Sequence, residues 1–394
     1  MVLPYFLIEF SSKPKKNAMK RNITHGIAIV TLLFVGTPAG LFAQTTNDDF
    51  NTISTAVPFL KITPDARGAG YGDQGAATPA DINSQFYNAS KYVWCKSQGG
   101  LSYSYTPWLR NLTKGMNVSY LSGYFKFDDR QAVSASFRYF SMGDVAFTDV
   151  NGSLIKNYSP NELSFDVAYS RMLSPNLSAS IGFRYIHSSL TDDAIEGAKA
   201  GNSFAADLGV YYQRSIDKNE MAAGISIANI GSKISYGSEG MKGYLPTNLR
   251  IGLRYTYNIN ETNAISALLE TTKLLVPTPD YDENNVDKNA DKSAIGGIFS
   301  SFGDAPSGFS EEMKEFTYSI GTEYSFQNMF MLRGGYFHES KMKGNSQFFT
   351  IGAGISYKFA KLDFAYLIPS AEGSTNPMAH TFRFSLGVNI DSRR

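Results

Sequence analysis

The chain has 394 residues, of which 43% are hydrophobic and 14% aromatic but only 18% charged, and its formal net charge is +1. A soluble globular domain carries about 25% charge, and a helical membrane bundle needs runs of about 20 apolar residues, which this chain lacks beyond its N-terminal region. Near-neutral charge without a basic patch argues against a nucleic-acid partner, and a single cysteine, Cys95, excludes an internal disulfide.

In chain order, residues 1–18 precede Met19, which reads as the true start, so they are taken as a misannotated extension. Residues 19–43 have the layout of a secretory signal peptide: Lys20 and Arg21, the apolar stretch Ile27–Val35, then Leu41-Phe42-Ala43 as the cleavage site. Gly36, Pro38 and Gly40 interrupt the apolar run, which speaks against a membrane anchor. Cleavage after Ala43 removes five basic residues and one acidic residue and leaves a formal charge of −3. Cys95 does not follow a small-residue lipobox, so lipoprotein processing is not expected.

Residues 44–98 show no strand periodicity but are dense in Pro, Gly and apolar anchors, as in Val57-Pro58-Phe59-Leu60 and Pro64-Asp65-Ala66-Arg67-Gly68-Ala69-Gly70. Glycine permits close backbone approach, so the segment suits a plug or hatch inside a lumen better than an irregular periplasmic extension.

From residue 99 to 394 the pattern is all-β. Fourteen stretches alternate apolar with polar residues, and the connections between them are alternately short and long. Leu163, Phe165, Val167 and Tyr169 alternate with Ser164, Asp166, Ala168 and Ser170, and Leu177–Tyr185 behaves in the same way. This predicts a 14-stranded antiparallel transmembrane β-barrel in a bacterial outer membrane, since a sheet facing lipid must close to satisfy its backbone. Tyr169, Tyr185, Tyr212, Tyr255, Tyr257, Tyr324, Tyr336 and Tyr357 fall near strand ends on the apolar face, which fits an aromatic girdle better than a soluble sandwich.

Charges within the strands keep the opposite parity. Arg138, Asp166, Arg184, Asp207, Arg250, Arg254, Glu270, Glu323, Arg333, Asp363 and Arg383 all share the polar face. Lys or Arg at the lipid midplane costs about 2–4 kcal/mol, so these side chains are expected in the lumen, holding strands and plug together. Tight turns at Asp128–Arg130, Ser174–Asn176, Asp217–Asn219, Asn258–Asn260, Gln327–Asn328 and Phe359–Ala360 are then periplasmic. The longer connections 106–114, 141–162, 188–202, 230–246, 275–313, 339–346 and 369–378 face the cell surface.

The run from Pro58 to Asp73, followed by Gly75-Ala76-Ala77, resembles the N-terminal signature of the PorV family. Gly123-Tyr124-Phe125 and Arg138–Asp144 are similar to the early strands of that family. Within the signature, Pro58, Phe59, Leu60, Pro64, Asp65, Ala66, Arg67, Gly68 and Gly70 form the family motif. The resemblance covers the whole mature chain. It implies the outer-membrane barrel component of the type IX secretion system of Bacteroidetes, a non-enzymatic protein. Such a protein would receive cargo at the translocon barrel, bind its C-terminal β-domain and pass it to the surface-attachment complex, which joins cargo to lipopolysaccharide. A more distant similarity is to the FadL-like fatty-acid transporter barrels, which leaves transport of hydrophobic small molecules as the alternative.

Partner capture needs apolar anchors in solvated loops. The 275–313 connection offers Ile295, Ile298, Phe299, Phe302 and Phe309, and 106–114 offers Trp108 and Leu109; each could instead fold back to cap the barrel. The acidic residues Asp280, Asp282, Glu283, Asp287 and Asp291 lack EF-hand spacing and glycine, so a solvated loop is favoured over a Ca²⁺ site. His187 and Ser189 have the His-x-Ser spacing of a lipid A deacylase, a weak signal in a Ser-rich chain and a far larger barrel. No metal, cofactor or nucleophile motif is expected.

Overall fold

The computed structural model describes residues 50–108, 115–148, 154–190, 199–237, 242–284, 287–289, 291–370 and 381–391. The expectations for 1–18 and the signal peptide at 19–43, and for Leu109, lie outside these residues. Barrel strands run as β1 (Gly99–Pro107), β2 (Met116–Asp128), β3 (Gln131–Met142), β4 (Asn161–Ser174), β5 (Leu177–Ser189), β6 (Gly201–Ile216) and β7 (Asn219–Gly231). They continue as β8 (Asn248–Asn258), β9 (Asn263–Leu274), β10 (Phe316–Phe326), β11 (Phe330–His338), β12 (Gln347–Tyr357), β13 (Ala360–Pro369) and β14 (Phe382–Ile390). Each pairs antiparallel with the next, and β14 closes the barrel on β1 from Gly99↔Ile390 to Tyr105↔Phe384.

Side-chain parity sorts the two faces as the sequence predicts. Phe165, Val167, Ile181, Phe183, Leu253, Leu332 and Leu386 stand exposed on the outer wall, where lipid replaces water. Arg138, Asp166, Arg184, Glu270, Arg333, Asp363 and Arg383 are buried within the lumen. Asp207 also turns inward, at a bulge where pairing with β7 shifts between Ala206 and Leu208. There it meets Arg184 at 2.8 Å and accepts the Asn229 amide at 2.7 Å.

The tight turns are local in origin. Asp217, Gln327, Asn328 and Lys358 adopt positive φ, and Asp128 accepts the Arg130 amide at 2.7 Å. At the opposite end the connections carry their own structure. Short ribbons pair Val145–Thr148 with Leu154–Tyr158 and Ile234–Ser235 with Lys242–Gly243. The β9–β10 connection holds two short helices, here α2 (Ala294–Ser300) and α3 (Phe309–Lys314).

Residues 50–98 occupy the lumen as a plug. It contains α1 (Ala66–Gly70) and 3-10 turns at Pro58–Lys61, Ser84–Phe86 and Ala89–Trp94. Its first residues lie among the long connections, where the Asn51 amide donates to Met342 O at 3.1 Å. Its last lie at the tight-turn end, where Gln98 O accepts the Lys126 amide at 2.7 Å. The plug therefore runs the height of the barrel from outside to inside.

Candidate functional site

The plug meets the wall in three layers of different chemistry. In the outer layer Val57, Phe59 and Leu60 pack with Val118, Phe140, Ile186, Ile234 and Leu245, with the rings of Phe59 and Phe140 stacked 6.3 Å apart. Val118, Phe140 and Ile186 point inward and break the polar-lumen parity. They form an apolar collar filled by the plug's own side chains. Trp108 is partly buried against this cluster, and its amide donates to Met116 O at 2.9 Å.

The middle layer is polar, and here the family motif does its local work. Asp65 caps α1 by accepting the Gly68 amide at 2.9 Å, and its other oxygen accepts the Tyr87 hydroxyl at 2.9 Å. The Tyr87 ring system lies so close that a Cβ on Gly68 would stand 1.9 Å from its hydroxyl oxygen. Arg67 pairs with Asp81 at 2.8 Å and donates to Pro79 O at 3.0 Å, folding the plug back on itself. Burial opposes ionisation of Asp81, but Arg67, Lys361 and Lys91 outweigh it and hold its carboxyl well below the usual range. Among the described residues no cation forms an ion pair with Asp65. Burial, reinforced by the charge of Asp81, pushes it up to about 6.

Wall charges read the plug backbone as well as its side chains. Glu270 accepts the consecutive amides of Gly75 and Ala76 at 2.8 and 2.7 Å. Tyr71 donates to Glu323 at 2.6 Å, and Glu323 is held by Arg333, which also grips Asp363 at 2.6 Å. Arg383 pairs with Asp73 at 2.5 Å. Phe86 takes two guanidinium groups over its ring, with Arg138 and Arg250 each 4.6 Å from its centre. Lys91, fully buried, donates to Gly75 O at 2.6 Å and Thr78 at 2.8 Å, and burial lowers its ammonium to about 8.

In the inner layer, at the tight-turn end, Trp94 of the plug donates to Ser178 at 2.8 Å and Tyr92 stacks on Tyr124 at 5.0 Å. A cavity of about 500 Å³ opens here, lined by Arg67, Asp81, Glu220, Arg254, Lys361 and Asp363 among others. Its mixed charges suit water and not an apolar solute.

The outer rim forms a second candidate site. Phe299 is 76% exposed, Phe309 78%, Ile295 66% and Phe302 51%, while Ile298 is half-buried. These residues ride on α2, α3 and the turn between them, and α3 is fastened from below. Buried Lys273 of β9 pairs with Glu312 at 2.7 Å and Glu315 at 2.5 Å, and Lys343 pairs with Glu311 at 2.6 Å and Glu315 at 3.0 Å. The apolar crown is thus presented on a braced support.

The remaining motifs fall elsewhere. His187 bonds to Asn202 at 2.9 Å, whereas Ser189 bonds to Tyr158 at 2.6 Å, so the two are not paired as base and nucleophile here. Asp280 pairs with Lys288 at 3.0 Å, and Asp287 accepts the amides of Asp280 and Asn289. Among the described residues no three His, Cys, Asp or Glu side chains gather into a metal set. Sequence reasoning missed Tyr71, Asp81, Tyr87 and Lys91, which carry most of the polar layer; their signal was proximity to the motif, without periodicity.

A family model described as Type IX secretion system protein PorV matches residues 44–281. No curated protein matches the chain. Among solved structures, the TodX deltaS2S3 mutant monoaromatic hydrocarbon channel aligns at a TM-score of 0.51 and 11% identity, over 82% of this chain and 96% of that one. The Pseudomonas putida toluene transporter TodX aligns at 0.49 and 12%, over 88% and 100%. The Ralstonia pickettii toluene transporter TbuX aligns at 0.44 and 10%, over 84% and 99%. The likeness at 0.51 supports the barrel fold and carries nothing about substrate.

Proposed function

The chain belongs to the PorV family and is an outer-membrane component of type IX secretion, and from that premise we propose that its outer loops capture the C-terminal β-domains of secreted cargo. In this reading the barrel receives cargo from the translocon barrel and hands it to the surface-attachment complex, beside the lipopolysaccharide of the outer leaflet. The observation that carries it is the braced apolar crown. Burying a side chain the size of Phe299 or Phe309 against a partner contributes about 1.5–3 kcal/mol, and leaving both in water has no stabilising return for the barrel alone.

Transport of hydrophobic small molecules finds less support. The apolar collar is filled by Phe59 and Leu60, the middle of the lumen is a network of ion pairs, and the cavity beneath is lined by charge. An apolar solute would have to displace the first and cross the others. Lipid hydrolysis gains no support either, because His187 and Ser189 bond to different partners and not to each other.

Affinity capture from native membranes tests the proposal. The wild-type barrel is expected to bring down the translocon barrel and cargo with intact C-terminal domains. The double variant Phe299→Ser/Phe309→Ser is expected to keep the barrel folded and lose the cargo. Wild-type capture with neither partner present would overturn the reading.

A further inference from the structure

The first residues of the plug form a strap across the outer mouth. It is pinned at both ends: Asn51 donates through its amide to Met342 O at 3.1 Å and through its side chain to Glu311 at 2.9 Å, and the Ala56 amide donates to Tyr244 O at 2.9 Å. Between the pins, burial alternates. Asn51, Ile53 and Thr55 are half-buried while Thr52 and Ser54 are exposed, the period-two pattern of an extended chain. Among the described residues, the amides and carbonyls of Thr52, Ile53, Ser54 and Thr55 make no hydrogen bond. At Ala56 the strap meets Tyr244, the residue that follows the ribbon strand Lys242–Gly243.

Beyond the pins the strap is anchored firmly. Val57, 1% exposed, sits in the left-handed region at φ 46°, a costly conformation for a β-branched residue that its packing in the collar must maintain. Asn51 also reaches Glu311 of α3, so strap and crown share one support. An extended segment with fixed ends and free backbone groups is the acceptor required for strand addition, where main-chain bonds supply affinity and side chains matter little.

We propose that the strap Thr52–Thr55 is a strand-addition site at the cell surface, at which an extended edge strand of the cargo's β-domain pairs with the plug's own backbone. This rests on the cargo-binding reading and specifies its mode. Ile53 and Thr55 have the same parity as Asn51 and so carry the edge away from the Tyr244 pin. The incoming strand pairs along that edge.

The test uses the full-length barrel in nanodiscs and, as probe, a purified C-terminal β-domain of a protein secreted by the same cells. Thr55→Pro removes one edge amide and is expected to weaken probe binding about tenfold or more. Thr55→Ala keeps the amide and is expected to bind like wild type. A photo-crosslinking residue at Ser54, in an otherwise native strap, is expected to attach to the probe. Wild-type affinity in Thr55→Pro, an equal loss in Thr55→Ala, or no crosslink at Ser54 would each overturn the inference. Loss of binding in the crown double variant alone, with strap variants unaffected, would leave the cargo-binding function standing without this mode. Failure of the wild-type barrel to bind the probe would remove the function itself.

Discussion

Gly72 of the plug and Gly335 of β11 meet backbone to backbone: a Cβ built on Gly335 would stand 2.2 Å from the Gly72 nitrogen. Gly72 itself adopts φ +86°, and a Cβ there would meet Tyr336 O at 2.9 Å. The same close seating recurs where Gly224 faces Ala76 O and Gly321 faces Tyr71 O. Gly335→Val should therefore unseat the middle of the plug while leaving the strand ladder intact. Planar-bilayer recordings should show ion conductance above the wild-type level, with unchanged heat-modifiable migration of the barrel.

Tyr71→Phe removes the hydroxyl that joins plug to wall and leaves Glu323 with Arg333. A hydrogen bond to a charged group is worth about 1.5–3 kcal/mol, so plug docking should weaken by that order. Hydrogen exchange would read this as faster exchange at Gly68–Gln74 with no change in the strands.

Plug docking should also depend on acidity through Asp65. Its carboxyl, raised to about 6 from 3.8, binds a proton more readily in the folded plug than in the released one. Its contribution is fully present below about pH 3.8, is lost as pH rises through about 6, and is flat above. Asp65→Asn should flatten that slope between pH 4 and 7, measured as the pH dependence of plug exchange rates. An unchanged slope would assign it to another group.

Lys273→Met should loosen the crown. Removing one partner of a buried ion pair costs about 3–5 kcal/mol because the other charge is left without compensation, here Glu312, whereas Glu315 keeps Lys343. Limited proteolysis should then cut between Leu275 and Glu315 faster than in wild type, and cargo capture should fall with it.

Much of this architecture was legible in the residues. Strand count, turn positions and the inward parity of Arg138, Asp166, Glu270, Arg333 and Arg383 follow from period-two alternation, because a charge facing lipid is too costly to survive. The outer collar was not legible: Ile186 lies at a polar-parity position of β5, and only the plug's Phe59 and Leu60 explain an apolar side chain there. The fastening of α3 was equally hidden, since Lys273, Glu312 and Lys343 are far apart in sequence and meet only when β9 and the 339–346 connection come together. Asp65 was readable as part of a motif, but its proton affinity depends on Tyr87 and Asp81, which periodicity does not place.

The seam between β1 and β14 has a consequence for assembly. The strand that follows the plug pairs with β14, so the wall cannot seal until all the other barrel strands have been delivered. The plug precedes the wall in the chain and is tethered to β1, and it spans the lumen with one end at each rim. Wrapping an open sheet around it avoids threading those residues through a finished ring. The plug then serves as the former on which the wall is gauged, and strand glycines such as Gly335 and Gly352 record its contour.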